Sequence, residues 1–407
     1  MASYTVLFLI FIYFSRNSQF SVRGVVFIAL TFRLLFFFSI PVLSDDIYRF
    51  IWDGKLLHEG IHPFAHVPSW FVNNDQLPNS INIELYGNLN SPEYFTIYPP
   101  MAQVLFWLST FSKSILGSVI IFRVFTFAVE TGTILLLIKL SDLYSLPRKN
   151  VILYAFNPLV ILELTGNLHL ESFMIFFLLL GIYAYKRTQF NVVGISMALA
   201  VGAKLIPLIV YPVFLRRLSL KKLFILYFSS AGLLILLFWP LYDRALVHGM
   251  SSSISLYFQK FEFNASIYYL VRELGFLLKG YNIIATAGPW LSVITFLLIL
   301  GLALFSNPQK DRTPSVWLWI LFVYFSMAII VHPWYVTSLI ALGVLTKYRF
   351  PILWSGLIFL SYLGYNETGY DENMLVVIIE YGLLFTFIAY EVNQVLKQRK
   401  LSKIAVR

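Results

Sequence analysis

Long apolar stretches recur along the whole sequence, and they constrain its fold more than any other feature. A helix needs about 20 mostly apolar residues to cross the hydrocarbon core of a bilayer, and many of these stretches approach that length. Only 12% of the residues are charged and the mean hydropathy is +0.76, whereas soluble domains carry about 25% charged residues. The sequence therefore predicts an all-α integral membrane protein, with residues 1–407 forming a single polytopic domain.

Short clusters of Lys and Arg separate the apolar stretches, as they do in the cytoplasmic loops of membrane proteins. The formal net charge of +10 arises from these clusters, so it indicates anionic membrane lipids rather than nucleic acid as partners. Placing every cluster in the cytoplasm requires an outward and a return crossing between successive clusters. The twelve predicted crossings are 24–43, 117–140, 150–164, 171–186, 190–203, 205–215, 222–241, 284–305, 315–331, 335–346, 350–363 and 374–396.

Three segments do not fit a simple crossing. Residues 4–14 lack the basic start and the cleavage site of a signal peptide, so we expect them to be retained, with or without a thirteenth crossing. Residues 44–116 form a long outer loop, in which "YPPMAQVLFWLSTFSKSI" is predicted to lie flat as a juxtamembrane helix. Residues 190–215 are predicted to form a hairpin that turns at "GAK".

This threading collects the polar motifs on the non-cytoplasmic side, so we expect the chemistry there. They include "SDDIYRFIWDGKLLHEGIHPF", "TGNLHLES" and "HPWY". The cytoplasmic connections contain no glycine-rich phosphate loop, which argues against a nucleotide site. The absence of cysteine excludes disulfides, thiolate metal sites and cysteine nucleophiles.

Asp45 and Asp46 are adjacent carboxylates at a low-dielectric boundary. Their mutual repulsion should raise the pKa of one of them and prepare it to act as a general base. The alternative is that they serve the start of the next helix, with Ser44 as its cap. Arg49 and Asp53 are four residues apart on that helix, so an ion pair is possible between them.

Two further polar groups lie at membrane depth. His169 and Glu171, with Glu163 nearby, lack the spacing of a strong metal site, and we expect them to line a water-filled cavity. Lys204 stands alone in "AVGAKLIPLIVYP", where an ammonium needs an anionic partner such as a lipid phosphate unless it extends to the headgroups.

The remaining charged residues have mainly structural interpretations. His248, Lys260, Arg272 and His332 are outer-face cations, and each is either an interface residue or a ligand contact. Arg33 and Glu130 lie within predicted crossings, where we expect them to pair across the bundle.

Together these motifs resemble the GT-C superfamily of polytopic membrane glycosyltransferases, especially its bacterial mannosyltransferase-like members. The resemblance spans roughly residues 24 to 335 and rests on "SDDIYRFIWDGKLLHEGIHPF", "TIYPPMAQVLF", "NPLVILELTGNLHLES", "AKLIPLIVYP" and "HPWY", in that order. The first motif is the most specific, because that superfamily carries acidic residues at the outer end of an early helix.

The resemblance implies inverting transfer of one sugar from a polyprenyl-phosphate donor to a glycan, lipid or protein acceptor at the periplasmic face of a bacterial inner membrane. It assigns the base to Asp45 or Asp46, with Asp45 favoured by its place in the motif. It assigns the donor phosphate to Lys204, Arg272 and His332. The residues expected to shape the substrate site are Tyr48, Arg49, Trp52, Asp53, His169 and Glu171.

The sugar and the cofactor requirement are less constrained. Mannose is favoured by the likeness, while glucose, arabinose or another pentose stays open. A phosphate leaving group is already activated, so no cofactor is required, although a divalent metal is compatible with these residues. No large hydrophilic C-terminal domain follows the apolar region, which argues against transfer of a whole glycan to protein.

A transporter or flippase of lipid-linked sugars is the alternative function. Such a protein would use the same charged residues to hold a translocated substrate. It should place them near the midplane between paired broken helices, whereas an enzyme should gather them at one face.

Overall fold

The computed structural model describes residues 1–17, 19–259, 261–307, 312–366 and 369–404. Helices account for nearly all regular structure in these residues, which confirms the predicted all-α class. The helices up to Ala203 are α1 (Ala2–Asn17), α2 (Val22–Leu34), α3 (Asp46–His58), α4 (Pro68–Asn73), α5 (Ile83–Gly87), α6 (Pro100–Ser109), α7 (Ile115–Leu143), α8 (Ile152–Ala155), α9 (Pro158–Val160), α10 (Glu171–Lys186) and α11 (Phe190–Ala203).

The second half of the chain continues the helical architecture. Its helices are α12 (Leu220–Phe238), α13 (Arg244–Gln259), α14 (Ile267–Lys279), α15 (Ile284–Phe305), α16 (Thr313–Met327), α17 (Val336–Val344), α18 (Phe350–Leu357) and α19 (Met374–Ile404). Short 3-10 turns cover Arg148–Val151, Ile206–Phe214, Trp239–Leu241, Pro333–Tyr335 and Ile358–Gly364, and a π-helical turn covers Ile161–Gly166. A small antiparallel pair joins β1 (Tyr365–Asn366) to β2 (Gly369–Tyr370), with Tyr365 opposite Tyr370.

Within the described residues, four segments are long and apolar enough to cross a membrane. They are Ile115–Leu143, Leu220–Leu241, Ile284–Phe305 and Met374–Gln398. A fifth crossing results if Pro158–Gly166 and Glu171–Lys186, which meet at a bend of 113°, count as one broken span. Several of the other predicted crossings are apolar helices shorter than about 20 residues. The polytopic membrane class is confirmed, while the number of twelve or thirteen crossings stays a prediction.

Several predicted helices differ from the observed ones. The segment predicted over 205–215 is a 3-10 helix, Ile206–Phe214, and the helix predicted over 315–331 ends at Met327.

The helix expected over 24–43 ends at Leu34. Beyond it, the carbonyls of Phe37 and Ser39 accept hydrogen bonds from the buried Arg123 guanidinium instead of continuing the helix. The helix expected over 150–164 is broken. Pro158 lacks an amide hydrogen, and the side chain of Asn157 accepts a hydrogen bond from the Leu159 amide at 3.0 Å, so a new helix starts there.

The loop predicted over 44–116 contains α3 to α6. Helix α3 is mostly buried and packs on α6, where the rings of Phe50 and Phe106 stack with centroids 4.4 Å apart. Helix α3 ends before Gly60, whose φ of +69° suits glycine, as its position in "HEGIHPF" indicated. This packing fixes the direction in which the start of α3 points.

Two contacts within the bundle support the site indirectly. Arg33 forms a fully buried ion pair with Glu130, with 2.8 Å between Nη2 and Oε2, which confirms the pairing expected from the sequence. Helix α1 packs through Tyr4, which donates a hydrogen bond to the carbonyl of Ser355 and stacks on Phe359. Both contacts join segments that are far apart in the chain and thereby tie the helices of the bundle together.

Candidate active site

Asp45 and Asp46 lie where the chain enters α3. Asp45 directly precedes the helix, and its side chain makes no capping hydrogen bond. The Ser44 hydroxyl accepts a hydrogen bond from the Asp46 amide at 3.3 Å, and Asp46 lies in the first turn, so the capping alternative applies to these two residues and not to the Asp45 carboxyl. Partial desolvation and the neighbouring Asp46 charge raise the pKa of the Asp45 carboxyl, as expected for the pair. Oδ1 of Asp46 accepts a hydrogen bond from Asn90 Nδ2 at 3.2 Å. The second oxygen of Asp46, Oδ2, faces His169 in the segment between the π-helical turn and α10.

The π-helical turn Ile161–Gly166 presents Glu163 to this break. An extra residue in a helical turn re-aims the side chains that follow it, and such turns often occur at functional sites. Glu163 is fully buried. It accepts hydrogen bonds from Tyr362 Oη at 2.8 Å and from Asn167 Nδ2 at 3.0 Å. Its carboxylate therefore has a fixed orientation.

His169 lies between these two carboxylates. Its Nδ1 is 3.7 Å from Asp46 Oδ2, and its Nε2 is 3.3 Å from Glu163 Oε2. Leu168 adopts a positive φ of 65°, which turns the backbone sharply before α10 and places the His169 ring in this position. The "TGNLHLES" motif, which carries His169, thus faces "SDDIYRFIWDGKLLHEGIHPF", the acidic motif, as the predicted threading requires.

Trp334 stacks between two histidines. Its ring centroid is 3.8 Å from that of His169, with 16° between the planes, and 4.3 Å from that of His332, with 10° between the planes. Desolvation and the nearby positive charge of Lys204 lower the pKa of His332. The "HPWY" segment, from the other half of the chain, thereby joins Asp46, Glu163 and His169 in one cluster.

Lys204 follows the end of α11 in an extended conformation, so the helix breaks at the predicted "GAK". Its ammonium pairs with Oε1 of Glu171 and lies 4.5 Å from the centre of the Tyr335 ring. Glu171 is 1% exposed, and its Oε2 has no hydrogen-bond partner among the described residues. The Lys204 ammonium thus has a protein carboxylate as its anionic partner, and one oxygen of that carboxylate accepts no hydrogen bond from the described residues.

An apolar cavity of about 340 Å³ extends from Tyr335. Its walls come from the 3-10 turn Ile206–Phe214, from α15 and from the end of α16. Its lining includes Leu208, Pro212, Phe296, Ile299, Tyr324 and Tyr335. Tyr335 lines this cavity and also lies 4.5 Å from the Lys204 ammonium, so the cationic side chain and the apolar space share one neighbouring residue.

Arg123 holds the two halves of this cluster together. Its buried guanidinium donates to the carbonyls of Phe37 and Ser39 on the chain leading to Asp45, and to those of Thr165 and Gly166 after Glu163. The distances lie between 2.7 and 3.1 Å. One side chain thereby fixes the separation between the acidic motif and the π-helical turn.

The other residues of the acidic motif point elsewhere. Arg49 and Asp53 form the ion pair suggested by their spacing, at 2.9 Å, and both are buried. Asp53 also binds the side chains of Thr96 and Gln103. These contacts anchor the segment before α6, which is a structural role, and the predicted role in substrate binding stays untested.

Two aromatic residues of that motif have different surroundings. Trp52 is fully buried and packs near Phe71 and Tyr86. Tyr48 is half-buried, and desolvation together with the Asp45 charge raises the pKa of its phenol. Tyr48 therefore belongs to the Asp45 side of the site, while Trp52 belongs to the core.

Arg272 lies outside the cluster around His169. Its guanidinium pairs with Glu262 at 2.9 Å and with Glu273 at 3.1 Å, and it stacks over Tyr269. His248 packs edge-on against Phe95, 5.4 Å between centroids, and Lys260 lies outside the described residues. The geometry therefore favours Lys204 and His332 over Arg272 as groups near a donor phosphate.

Sequence reasoning left several residues of the cluster without a role. Arg123, Asn167, Trp334 and Tyr362 carry its hydrogen bonds and ring contacts. An arginine within an otherwise apolar helix was the one available signal for Arg123. Among the described residues, no group of three or more His, Cys, Asp or Glu side chains is arranged to hold a metal ion.

Residues 1–218 match the protein family described as alpha-(1->6)-mannopyranosyltransferase, N-terminal domain. The matched range includes Asp45, Asp46, Glu163, His169 and Lys204, and it ends before the "HPWY" segment. No curated protein and no solved structure matches the chain.

Proposed function

The chain belongs to the alpha-(1->6)-mannopyranosyltransferase family, and we propose that it moves one mannose from a polyprenyl-phosphate donor onto a mannose-terminated glycan through an alpha-(1->6) bond. It is thus a membrane glycosyltransferase acting on mannose. The proposed reaction takes place at the periplasmic face of a bacterial inner membrane.

One observation carries this proposal. His169 contacts Asp46, and Glu171, two residues later, contacts Lys204. A carboxylate and an ammonium from distant segments are therefore held at the same break before α10. Transfer of a sugar from a phosphate needs a base for the acceptor and a cation for the leaving group, so the two must lie close together.

The apolar cavity supports a lipid-linked donor. A polyprenyl chain requires an apolar space, and its phosphate requires a positive charge at the end of that space. The cavity offers the apolar space, and Lys204, which contacts the cavity-lining Tyr335, offers the positive charge. A nucleotide-linked sugar would instead require a polar pocket for its base and ribose.

The proposed chemistry is a single displacement. A carboxylate of the Asp45–Asp46 pair takes the proton of the acceptor hydroxyl, and the acceptor oxygen forms a bond to the anomeric carbon. The bond from that carbon to the phosphate oxygen breaks, and the phosphate keeps the electron pair beside Lys204. Because such a displacement inverts the anomeric carbon, an alpha product requires a beta-linked donor.

The test uses the purified full chain in lipid nanodiscs with an alpha-(1->6)-mannooligosaccharide acceptor. We expect transfer from a beta-linked polyprenyl-phosphate mannose and none from a nucleotide-linked mannose. Asp45→Asn and Asp46→Asn should identify the base through a loss of about 10²- to 10⁴-fold in kcat. Lys204→Met should raise the KM for the donor about 10- to 100-fold, the effect of a lost charge-assisted hydrogen bond.

Glu380→Gln is the matched control, because Glu380 is a buried carboxylate whose hydrogen bonds in the described part of the chain come from Trp354 and Asn264, not from the site residues. It should leave transfer unchanged. Undiminished transfer in both Asn variants would overturn the proposed base. Movement of intact donor across proteoliposomes without any transfer would favour the transporter instead.

A further inference from the structure

His169 is placed to connect two carboxylates rather than to bind a substrate directly. Its two ring nitrogens face Asp46 Oδ2 and Glu163 Oε2, at 3.7 and 3.3 Å. The ring is 1% exposed, and its Nε2 makes no hydrogen bond of normal geometry in the described structure. A buried polar atom without a partner is costly and usually marks a site whose contacts tighten during function.

The surroundings of His169 fix the ring in this position. Trp334 covers one face of the ring. Tyr362 and Asn167 hold the Glu163 carboxylate from its other sides, so Glu163 cannot turn away from the ring. Asn90 holds Asp46 through Oδ1 and leaves Oδ2 toward Nδ1. A base oriented by a second group, which is oriented by a third, is the general arrangement of an activated catalytic group.

We propose that Glu163, His169 and Asp46 form a proton relay, and that Asp46 rather than Asp45 is the catalytic base. This inference rests on the proposed transferase function. Asp46 takes the proton from the acceptor hydroxyl, and Nδ1 of neutral His169 then takes it from Asp46. Nε2 carries its own hydrogen toward Glu163, so the ring becomes an imidazolium that the Glu163 carboxylate stabilises. The proton is conserved at each step, and the phosphate leaves with the electron pair of the broken bond.

The relay predicts a specific dependence on pH. His169 must be neutral before each turnover, so the rate should fall at low pH as the ring becomes protonated. Replacing the Glu163 carboxylate by an amide removes the negative charge 3.3 Å from Nε2, and we expect the variant to work at lower pH. Other ionisable side chains lie on the segments packed around His169, and they are unchanged when only Glu163 is replaced. They include Asp45, Asp46, Glu171, Lys204, His332, Tyr362 and Tyr365.

The experiment compares kcat/KM for the acceptor across about pH 5 to 9. Glu163→Gln keeps a carbonyl oxygen for Tyr362 or Asn167 but removes the charge. We expect the kcat of this variant to fall about tenfold or more and its KM for the donor to stay unchanged. We also expect its acid limb, the fall of kcat/KM toward low pH, to move to lower pH. A merely structural role for Glu163 would lower activity without moving the limb. Glu380→Gln should leave both the rate and the limb unchanged.

His169→Gln provides the second variant, for the case in which Glu163→Gln does not fold. It should lose the part of the acid limb that depends on the imidazole, so that any remaining limb belongs to Asp46, and it should retain binding of the donor. Each variant is checked for a single size-exclusion peak and a cooperative thermal transition. If both folded variants keep the wild-type limb while wild type transfers mannose, the relay is wrong and the transferase stands. If wild type transfers nothing from any donor, the proposed function itself fails.

Discussion

Trp334 stacks on His169, with 3.8 Å between ring centroids and 16° between ring planes. The two residues come from opposite halves of the chain, and the stack is the direct contact between the "HPWY" and "TGNLHLES" motifs. Since the same indole also stacks on His332, it orders two imidazole rings at once. The site therefore depends on a side chain that touches neither Asp46 nor Lys204 through a hydrogen bond.

Replacing Trp334 by Ala should lower acceptor turnover about 2- to 10-fold through loss of the stack alone, since such pairs contribute ~0.5–1.5 kcal/mol. It should also lower the unfolding temperature, because a buried ring is removed. Trp334→Phe should retain most of the activity. Trp107 also stacks on a histidine, His58, with 5.6 Å between centroids, so Trp107→Ala is the control. Equal activity losses in the two Ala variants would contradict a special role for Trp334.

Glu171 should compete with the donor phosphate for Lys204. The two side chains are paired in the structure, and a phosphate that binds the ammonium must displace the carboxylate. Glu171→Gln should therefore lower the KM for the donor about three- to tenfold and strengthen inhibition by free polyprenyl phosphate, measured by initial rates. Asp142→Asn removes a carboxylate from an exposed ion pair with Arg148 and should change neither value. A higher KM for the donor in Glu171→Gln would show that Glu171 supports the phosphate site instead.

Arg123 should be indispensable to the fold around the site. Its replacement by Lys, which has three N–H donors, leaves at least one of the four carbonyls without a donor, at about 1–3 kcal/mol for each one lost. We expect a clearly lower unfolding temperature in detergent and little transfer activity. Arg148→Lys, at an exposed pair, should unfold like wild type. Wild-type stability of Arg123→Lys would mean that the four carbonyls find other partners.

Glu372 should make the stability of the contacts around β2 and α14 depend on pH. Burial is the main cause that raises the pKa of this carboxyl to about 7, opposed by a hydrogen bond from the Asn264 amide and assisted by the Glu262 charge. The folded state thus holds the Glu372 proton more tightly than the unfolded state does. The resulting stabilisation is complete below the ordinary pKa of 4.5 and is lost as the pH rises through about 7.

The variant Glu372→Gln checks this prediction, because its side chain stays neutral. Thermal unfolding of wild type should shift to lower temperature between about pH 5 and pH 8, and that of the variant should shift less. Identical shifts in the two proteins would assign the pH dependence to other groups. The contacts affected are those that Glu372 accepts from Tyr269, Tyr370 and Asn264.

The sequence predicted the parts of the fold that local patterns determine. The bounds of α10, α11 and α15 follow directly from apolar stretches that end at basic or polar residues. The ion pairs of Arg33 with Glu130 and of Arg49 with Asp53 were expected, because a charge within an apolar helix requires a partner and because i,i+4 charges share a face.

The cluster itself was predicted only in outline. Convergence of Asp46, His169, Lys204 and His332 was expected from the motifs and the threading, and the structure brings these four side chains into one region. The hydrogen bond from Tyr362 to Glu163 and the stack of Trp334 on His169 join distant segments. One sequence carries no information on such pairings, and the π-helical turn that aims Glu163 has no recognisable local signal.

The bond between Tyr362 and Glu163 has a consequence for biosynthesis. The segment that carries both aspartates, the histidine and the lysine leaves the ribosome long before the tyrosine that secures Glu163 does. Nascent chains inserted only as far as α12 would hold the acids and bases without the rings that order them. Such intermediates should be inert toward lipid-linked sugar, so the enzyme acquires its competence only when the last part of the polypeptide has entered the membrane.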